Sequence, residues 1–320
     1  MMLLVVYGEK SYVHAYDASF SGKKLLGGKT MTLQNLQGRV ALVTGSSRGG
    51  GRGIALALGE AGATVYVTGR STRAKSTRTD LTGTIEDTAE AVTQRGGLGI
   101  AVRCDHTIDA DVKALYERIK QEQGTLDILV NNAWGGYEDY DDVDFSVPFW
   151  EQPMSRWDKM FEAGLRAQIV SSRYAMSTFF LEQNRGLLIN TGVNSDIGGD
   201  YPINVFYDTV KRAVANMTRA MSQNLKANHI DVTALTLAPG WMRTEAVYKH
   251  YGLEPGDPDF MKVEALHTTE SVEYIGRAVV ALASDPQVSQ KAGQLLEVGA
   301  LADQYGFTDI DGRQLPPFRV

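Results

Sequence analysis

Two residues in this sequence, Tyr207 and Lys211, have the types and the spacing that suit proton transfer. A free tyrosine has a pKa of about 10, so an isolated phenol is a poor acid or base at neutral pH. Residues four positions apart share one face of a helix, and the positive charge of a lysine there lowers the pKa of the phenol. The pair could therefore exchange a proton with an oxygen atom of a small molecule.

The same spacing occurs a second time, at Tyr116 and Lys120. The surrounding pattern places Tyr116 on a crossover helix, on an outer face far from the ends of the predicted strands. Tyr207 instead follows a predicted strand, near the carboxyl ends at which parallel sheets bind ligands. We therefore expect Tyr207 to be the acid–base residue and Tyr116 to be a surface or core-edge residue.

A glycine-rich segment at residues 44–55 joins the first predicted strand to the first predicted helix. Glycines turn the backbone tightly and let a phosphate approach without a Cβ in the way. The free N–H groups at the start of a helix and the positive end of its dipole attract an anion. The segment therefore predicts binding of a nucleotide pyrophosphate. Its candidate contact residues are Gly45, Ser47, Arg48, Gly49 and Gly51.

The residues after the second predicted strand bear on which dinucleotide binds. Many dinucleotide-binding folds place a carboxylate there, which accepts the ribose 2′-hydroxyl. Here Arg70 ends the strand, and Lys75 and Arg78 follow. A guanidinium pairs with a phosphate monoester through two hydrogen bonds, and Arg48 could join Arg70 at that phosphate. This favours NADP(H) over NAD(H), although a solvated basic loop would give the same pattern.

Apolar strands alternate with helical patterns along the chain, which indicates an α/β, single-domain Rossmann-type doubly wound parallel sheet of about seven strands with helices on both faces. The later strands are predicted at 126–130, 186–191, 230–237 and 294–298, and the longer helices at about 83–95, 109–122, 155–182, 205–228 and 271–284. Residues 1–30 lack this pattern and are predicted to be a loosely ordered extension or an edge strand. Residues 31–320 then form the catalytic domain, with a substrate loop at about 241–270 and a tail at about 300–320.

Five motifs, in this order, resemble those of the short-chain dehydrogenase/reductase family. Residues 44–51 match its TGxxxGxG loop, and Asp105 matches the acid at the adenine ring. Residues 131–133 match its NNAG motif, with Trp134 in place of the glycine. Residues 207–211 match YxxxK, and residues 239–244 match the segment beside the nicotinamide. A narrower resemblance, to one group within the family, involves residues 149–151, 157–158, 164–166 and 305–313.

The resemblance implies an NADP(H)-dependent oxidoreductase that moves hydride between the nicotinamide and a carbonyl or secondary alcohol. Tyr207 would be the acid–base residue, and Lys211 would lower its pKa and also hold the nicotinamide ribose. The further cofactor contacts implied by the motifs are Asp105, Asn132, Ala133, Pro239, Gly240 and Thr244. The family also implies a homodimer or homotetramer.

A serine about 13 residues before the tyrosine is also implied, where it orients the substrate carbonyl. Counting back from Tyr207 gives Asn194 at 13 and Ser195 at 12, whereas alignment from the preceding strand gives Gly192 or Val193. We choose Ser195 because a hydroxyl both donates and accepts a hydrogen bond. Asn194 or Thr191 could take its place, and Ser195 could be an ordinary loop hydroxyl.

The asparagine that holds a water beside the lysine in this family falls at Gly164. Glycine has no side chain, so that proton relay must differ or be absent. The alternative function is therefore a cofactor-binding protein with little turnover, acting as a redox sensor or a scaffold.

Aromatic residues are dense in the segments expected around the substrate, which favours an apolar or aromatic carbonyl compound or alcohol. They are Trp134, Tyr137, Trp150, Tyr201, Phe206, Trp241, Tyr248 and Tyr251. The acidic run at 138–144 is predicted to be a solvated loop, and the scattered histidines, of which His250 lies nearest the expected substrate, lack the paired spacing of a zinc site. No metal site is predicted, and Cys104 is expected to be a small packed side chain.

Composition narrows the class of partner and compartment. The chain has 320 residues, a net charge of −6 and a single cysteine, and it has no apolar stretch long enough to span a membrane. The negative charge argues against a nucleic acid partner, and one cysteine excludes an intrachain disulfide. We therefore expect a cytoplasmic protein that acts on small molecules.

Overall fold

The computed structural model of the protein describes residues 35–78, 80–136, 143–194 and 204–319. The predicted extension at 1–30 lies outside this part of the chain. The strands are β1 Val40–Val43, β2 Thr64–Gly69, β3 Leu98–Arg103, β4 Ile128–Asn131, β5 Gly186–Thr191, β6 Val232–Ala238, β7 Met242–Arg243, β8 Glu270–Ser271 and β9 Leu295–Glu297. The helices are α1 Gly49–Glu60, α2 Ile85–Gln94, α3 Asp109–Gln123, α4 Met154–Phe161, α5 Ala167–Ala175, α6 Leu181–Gln183, α7 Val205–Ala227, α8 Glu245–His250, α9 Tyr274–Ser284 and α10 Val298–Tyr305.

Within the described residues, seven strands form one parallel sheet in the order β3-β2-β1-β4-β5-β6-β9. The order reverses between β1 and β4, which makes the carboxyl ends of these two strands the switch point at which doubly wound sheets bind ligands. The prediction of a parallel sheet of about seven strands is confirmed.

Helices cover both faces of the sheet, because its strands are apolar on both sides. On one face, α1 and α9 contribute Ile54, Leu58 and Ala278 to a buried cluster. On the other face, α3 contributes Leu115, and Phe179 packs beside it. The two buried clusters pack the sheet on both faces, so the carboxyl ends of its strands are held in fixed positions.

The long helix predicted at about 155–182 is a continuous run of helical turns that is not uniformly α-helical. Two π turns, Glu162–Arg166 and Met176–Phe180, separate α4, α5 and α6. Each inserts one extra residue and rotates the side chains that follow it, and such turns are frequent at functional sites. Gly164 lies in the first of them and is buried.

The end of the chain returns to the sheet after α10. Gly299 lets the backbone pass closely, since a Cβ there would stand 2.6 Å from the carbonyl oxygen of Pro316. The Tyr274 hydroxyl then donates to the carbonyl of Leu315 at 3.0 Å and accepts from its N–H at 3.1 Å. These contacts carry Phe318 to the carboxyl ends of the strands.

The prediction for the second tyrosine–lysine pair is wrong in its placement of Tyr116. This side chain is 1% exposed and belongs to the core cluster between α3 and α5. Its hydroxyl lies 2.9 Å from that of Ser171, and burial raises its pKa. One side of α3 packs on α5, and Tyr116 lies on that side, so it is a core residue far from solvent.

Candidate functional site

A cleft of about 640 Å³ opens at the carboxyl ends of the strands, above the point where β1 and β4 meet. Nearly all of the residues predicted for the cofactor and for proton transfer line it. They are Gly45, Ser47, Arg48, Gly49, Arg70, Asp105, Asn132, Ala133, Tyr207, Lys211, Pro239, Gly240 and Thr244. Gly51, also predicted as a contact, does not line the cleft; it packs so closely on Gly45 that a Cβ there would overlap the Gly45 carbonyl.

The glycine loop is pinned to the end of β4. A Cβ on Gly45, which has φ +66°, would stand 2.7 Å from the Cα of Ala133, and one on Gly51 would stand 2.5 Å from Nδ2 of Asn132. The Thr44 hydroxyl accepts the N–H groups of Asn132 and Ala133 at 2.9 and 3.0 Å. The Asn132 side chain donates to the carbonyls of Thr44 and Gly45 at 3.2 and 3.0 Å. The loop is therefore preformed.

The first N–H of α1 already holds an anion. The N–H of Gly49 donates to both carboxylate oxygens of Glu245, at 3.2 and 3.0 Å. Arg48, the N-cap, contributes no side-chain cap to this helix. The Glu245 carboxylate stands in for the phosphate oxygens that a helix N-terminus binds. The start of α1 therefore accepts an anion, as binding of a pyrophosphate there would require. Sequence reasoning missed Glu245, for which the signal was an acidic residue directly after Thr244.

Three arginines, Arg48, Arg70 and Arg78, line one end of the cleft. The Arg48 guanidinium donates to the carbonyls of Thr82 and Gly83 at 3.1 and 2.9 Å. Burial, and to a lesser extent the positive charges of Arg78 and Arg70, lower its pKa, while Glu245 opposes that shift. An additional negative charge at this end would therefore be attracted by several cations at once.

Tyr207 is placed by the start of α7. The side-chain oxygen of Asn204 accepts the N–H groups of Phe206 and Tyr207, both at 3.0 Å, and a cap of this kind contributes about 1 kcal/mol. Asn204 also donates to the carbonyl of Phe145 at 2.8 Å, which ties the helix start to the neighbouring segment. The Tyr207 ring packs edge-on against Phe145, with their centroids 5.9 Å apart.

Lys211 lies one helical turn further along α7 and also lines the cleft. It is buried, and burial lowers its pKa to about 8. Its Nζ lies 5.7 Å from the centre of the Tyr207 ring and 4.2 Å from the centre of the Trp134 indole ring. A cation close to the phenol favours the ionised form of the phenol, as the spacing of the two residues predicts.

The candidates for the carbonyl-orienting residue differ in their placement. Ser195 lies outside the described residues. Thr191 and Asn194 both line the cleft. The Thr191 hydroxyl donates to the carbonyl of Asn131 at 3.2 Å, and the Asn194 side chain hydrogen bonds to Glu297.

The expected aromatic lining is wrong for most of its described members. Trp134 lines the cleft, whereas Trp241 and Tyr248 pack, with Tyr251 beside them, in a separate cluster around Phe260. Phe206 packs on Trp157, and Trp150 is 71% exposed; Tyr137 and Tyr201 lie outside the described residues. Phe145 and Phe318 line the cleft instead. The sequence shows that aromatic residues are frequent in these segments, but it does not show which of the rings line the cleft.

Cys104 and His106 also line the cleft. Cys104 is buried as expected, and burial raises the pKa of its thiol to about 12. His106, which the sequence analysis did not single out, lines the cleft as His250 does. The Nε2 of His106 lies 2.9 Å from the Thr68 hydroxyl, and burial lowers the pKa of His106 to about 4.

No three histidine, cysteine, aspartate or glutamate side chains in the described part of the chain come together as a metal site. No helix in it is long and apolar enough to cross a membrane.

The chain matches known proteins over most of its length. The sequence model of the short chain dehydrogenase family matches residues 39–251. The proteins named Dehydrogenase/reductase SDR family member 1 of Mus musculus and Homo sapiens are 37% and 34% identical to it over 287 residues, which cover 88% of this chain and 87% of each relative. These proteins form the group within the family that residues 149–151, 157–158, 164–166 and 305–313 resemble. The crystal structure of hydroxysteroid dehydrogenase from Escherichia coli is 25% identical, with a TM-score of 0.65, and the match covers 83% of this chain and 97% of that one.

Proposed function

Since this chain belongs to the short-chain dehydrogenase family, we propose that it is an NADP(H)-dependent oxidoreductase that interconverts a carbonyl compound and a secondary alcohol. The observation that carries the proposal is the Tyr207–Lys211 pair, buried at the wall of a cleft whose other end is a preformed glycine loop. The nicotinamide cofactor, when bound, supplies or accepts the hydride.

Tyr207 is the general acid in the direction of reduction. Negative charge develops on the substrate oxygen as its carbon is reduced, and the Tyr207 hydroxyl donates a proton to that oxygen. The positive charge of Lys211 lies near the phenol and lowers its pKa, which makes Tyr207 a stronger acid. In the direction of oxidation the phenolate takes the proton back from the alcohol.

Ser195 completes the proton-transfer group in this proposal by hydrogen bonding to the substrate oxygen. The contacts of the two alternatives support this choice. The hydroxyl of Thr191 is donated to the Asn131 carbonyl, and the side chain of Asn194 is engaged by Glu297. A serine hydroxyl can both donate and accept a hydrogen bond at the substrate oxygen.

The preference for NADP(H) is supported by charge. Arg48, Arg70 and Arg78 gather at the end of the cleft beyond the glycine loop. The acids at this end are themselves paired with arginines: Asp105 lies 3.9 Å from the Arg70 guanidinium, and Asp80 lies 2.8 Å from that of Arg78. A 2′-phosphate would find two or more guanidinium groups there, which bind phosphate strongly through paired hydrogen bonds.

The substrate is proposed to be an apolar or aromatic small molecule. Trp134, Phe145 and Val193 pack with Tyr207 and line the cleft there, and Phe318 lines it beside Gly240. Such a wall gains free energy by burying apolar surface of a ligand, while Tyr207 fixes the position of its single polar oxygen.

The test measures NADPH consumption by the purified protein against aldehydes, ketones and quinones, with Tyr207→Phe and Tyr116→Phe compared. Both variants lose one tyrosine hydroxyl from the same sequence pattern, but only Tyr207 lines the cleft. We expect Tyr207→Phe to lower kcat by about a hundred-fold or more and to keep NADPH binding. Tyr116→Phe should keep its turnover. NADPH binding without turnover on any substrate would favour the sensor or scaffold function.

A further inference from the structure

The indole of Trp134 contacts both members of the proton-transfer pair. The Nζ of Lys211 lies over its face, 4.2 Å from the ring centre. The Tyr207 ring meets it edge to face, with centroids 5.5 Å apart and planes at 79°. Trp134, which lies outside α7, therefore contacts both the phenol ring of Tyr207 and the ammonium group of Lys211.

Two glycines make the space that the indole fills. A Cβ on Gly164, in the π turn, would stand 2.6 Å from Cε3 of Trp134 and closer still to Cζ3. A Cβ on Gly136 would stand 2.7 Å from Cζ2 and 2.9 Å from Cε2. Any side chain at either position would overlap the ring. The ring is thus confined on both sides, and its face is kept toward Lys211.

Burial makes the charge on Lys211 costly. Burial alone lowers its pKa to about 8, and none of the described acids that line the cleft offsets this; they are Asp80, Asp105, Asp144, Glu245 and Glu297. A neutral lysine could not lower the pKa of Tyr207. The negative face of an aromatic ring attracts a cation, and most strongly where water is excluded.

We propose that Trp134 is a positioning residue for the oxidoreductase reaction, whose indole face keeps Lys211 in its ammonium form beside the Tyr207 phenol, in a space that Gly164 and Gly136 leave open for it. This inference depends on the proposed function for its catalytic meaning. The contact itself can be tested without any substrate, so the two can fail separately.

The experiment follows the ionisation of Lys211 directly. Lysine labelled with ¹³C at Cε is incorporated into the full chain, and the protein is titrated by ¹H–¹³C NMR, with the Lys211 signal assigned as the one missing from Lys211→Arg. Trp134→Leu removes the aromatic face and keeps an apolar side chain, and Trp134→Phe keeps a weaker face. We expect the pKa of Lys211 to fall by about one unit in Trp134→Leu and by less in Trp134→Phe.

Trp157→Leu is the matched control, because Trp157 lies in the same apolar cluster but packs on Phe161 and Phe206. It should lower the melting temperature without moving the pKa of Lys211. Once a substrate is known, the alkaline limb of the kcat profile should move with that pKa in the Trp134 variants, while KM changes little. An unchanged or raised pKa in folded Trp134→Leu overturns the proposal. If that variant does not fold, an unchanged or raised pKa in Trp134→Phe does so.

Discussion

The carboxylate of Glu245 accepts the N–H of Gly49 through both of its oxygens, at the start of α1. A phosphate bound by the glycine loop needs this same N–H group. Cofactor binding must therefore displace Glu245 and overcome its negative charge. We predict that Glu245→Gln strengthens NADPH binding by about 1 kcal/mol, or roughly five-fold.

Titration of NADPH fluorescence measures this change. Glu254→Gln is the control, because Glu254 is exposed in the loop after α8 and its substitution alters the net charge equally. Equal effects of the two variants would mean that long-range charge, and not the contact with Gly49, sets the affinity.

Arg70 provides a test of the preference for NADP(H). Arg70→Ala should weaken NADPH binding by about ten- to a hundred-fold and leave NADH binding little changed, because a hydrogen bond to a charged group contributes about 1.5–3 kcal/mol. Arg73→Ala is the control, since Arg73 lies in the same loop and pairs with Asp87 and Glu90 outside the cleft. Parallel weakening of NADH and NADPH by Arg70→Ala would contradict the assignment.

Gly164 offers a test of how tightly the indole is confined. Alanine normally stabilises a helix by about 1 kcal/mol over glycine, but a Cβ here would overlap Trp134, and overpacking costs about 1–3 kcal/mol. We predict that Gly164→Ala lowers the free energy of unfolding, measured by denaturant titration. The double variant Gly164→Ala/Trp134→Phe should be more stable than the two single changes predict together, because the smaller ring frees space. Simple additivity would argue against the overlap.

Glu270 makes stability depend on pH. It is buried beside Gly240, its Oε1 has no hydrogen-bond partner among the described residues, and burial raises its pKa from 4.5 to about 8. Between pH 4.5 and about 8, Glu270 is protonated in the folded protein but has lost its proton in the unfolded chain. This group's contribution is therefore fully present below pH 4.5 and is lost as the pH rises through about 8. Glu270→Gln, which stays neutral, should raise the melting temperature above pH 8 and change it little below pH 4.5. A gain of equal size at both extremes would show that charge is not the cause.

Much of the sheet could be predicted because its signals are local. Apolar runs and helical periods gave β5 with its observed bounds and α7 to within one residue. The π turns in the run from α4 to α6, the pairing of β7 with β8, and the burial of Tyr116 depend on which surfaces meet in the folded chain. A sequence pattern does not contain that information.

The same distinction applies to the candidate site. The glycine loop, Tyr207 and Lys211 are recognisable because each needs a fixed residue type at a fixed spacing. The contacts of Trp134 with Lys211, and of Glu245 with Gly49, join residues that lie far apart in the chain. The large ring of Trp134 fits only because position 164 has no side chain. This relationship can be recognised only once the two positions are known to be in contact.

The return of the chain end to the cleft has a consequence for the order of assembly during synthesis. The ribosome delivers Gly45 and the rest of the glycine loop early, and α1 can pack on β1 and β2 as soon as they emerge. Phe318, which forms part of the wall beside Gly240, emerges about 270 residues later. A nascent chain therefore contains the glycine loop and α1 long before Phe318 can complete the wall of the cleft beside Gly240.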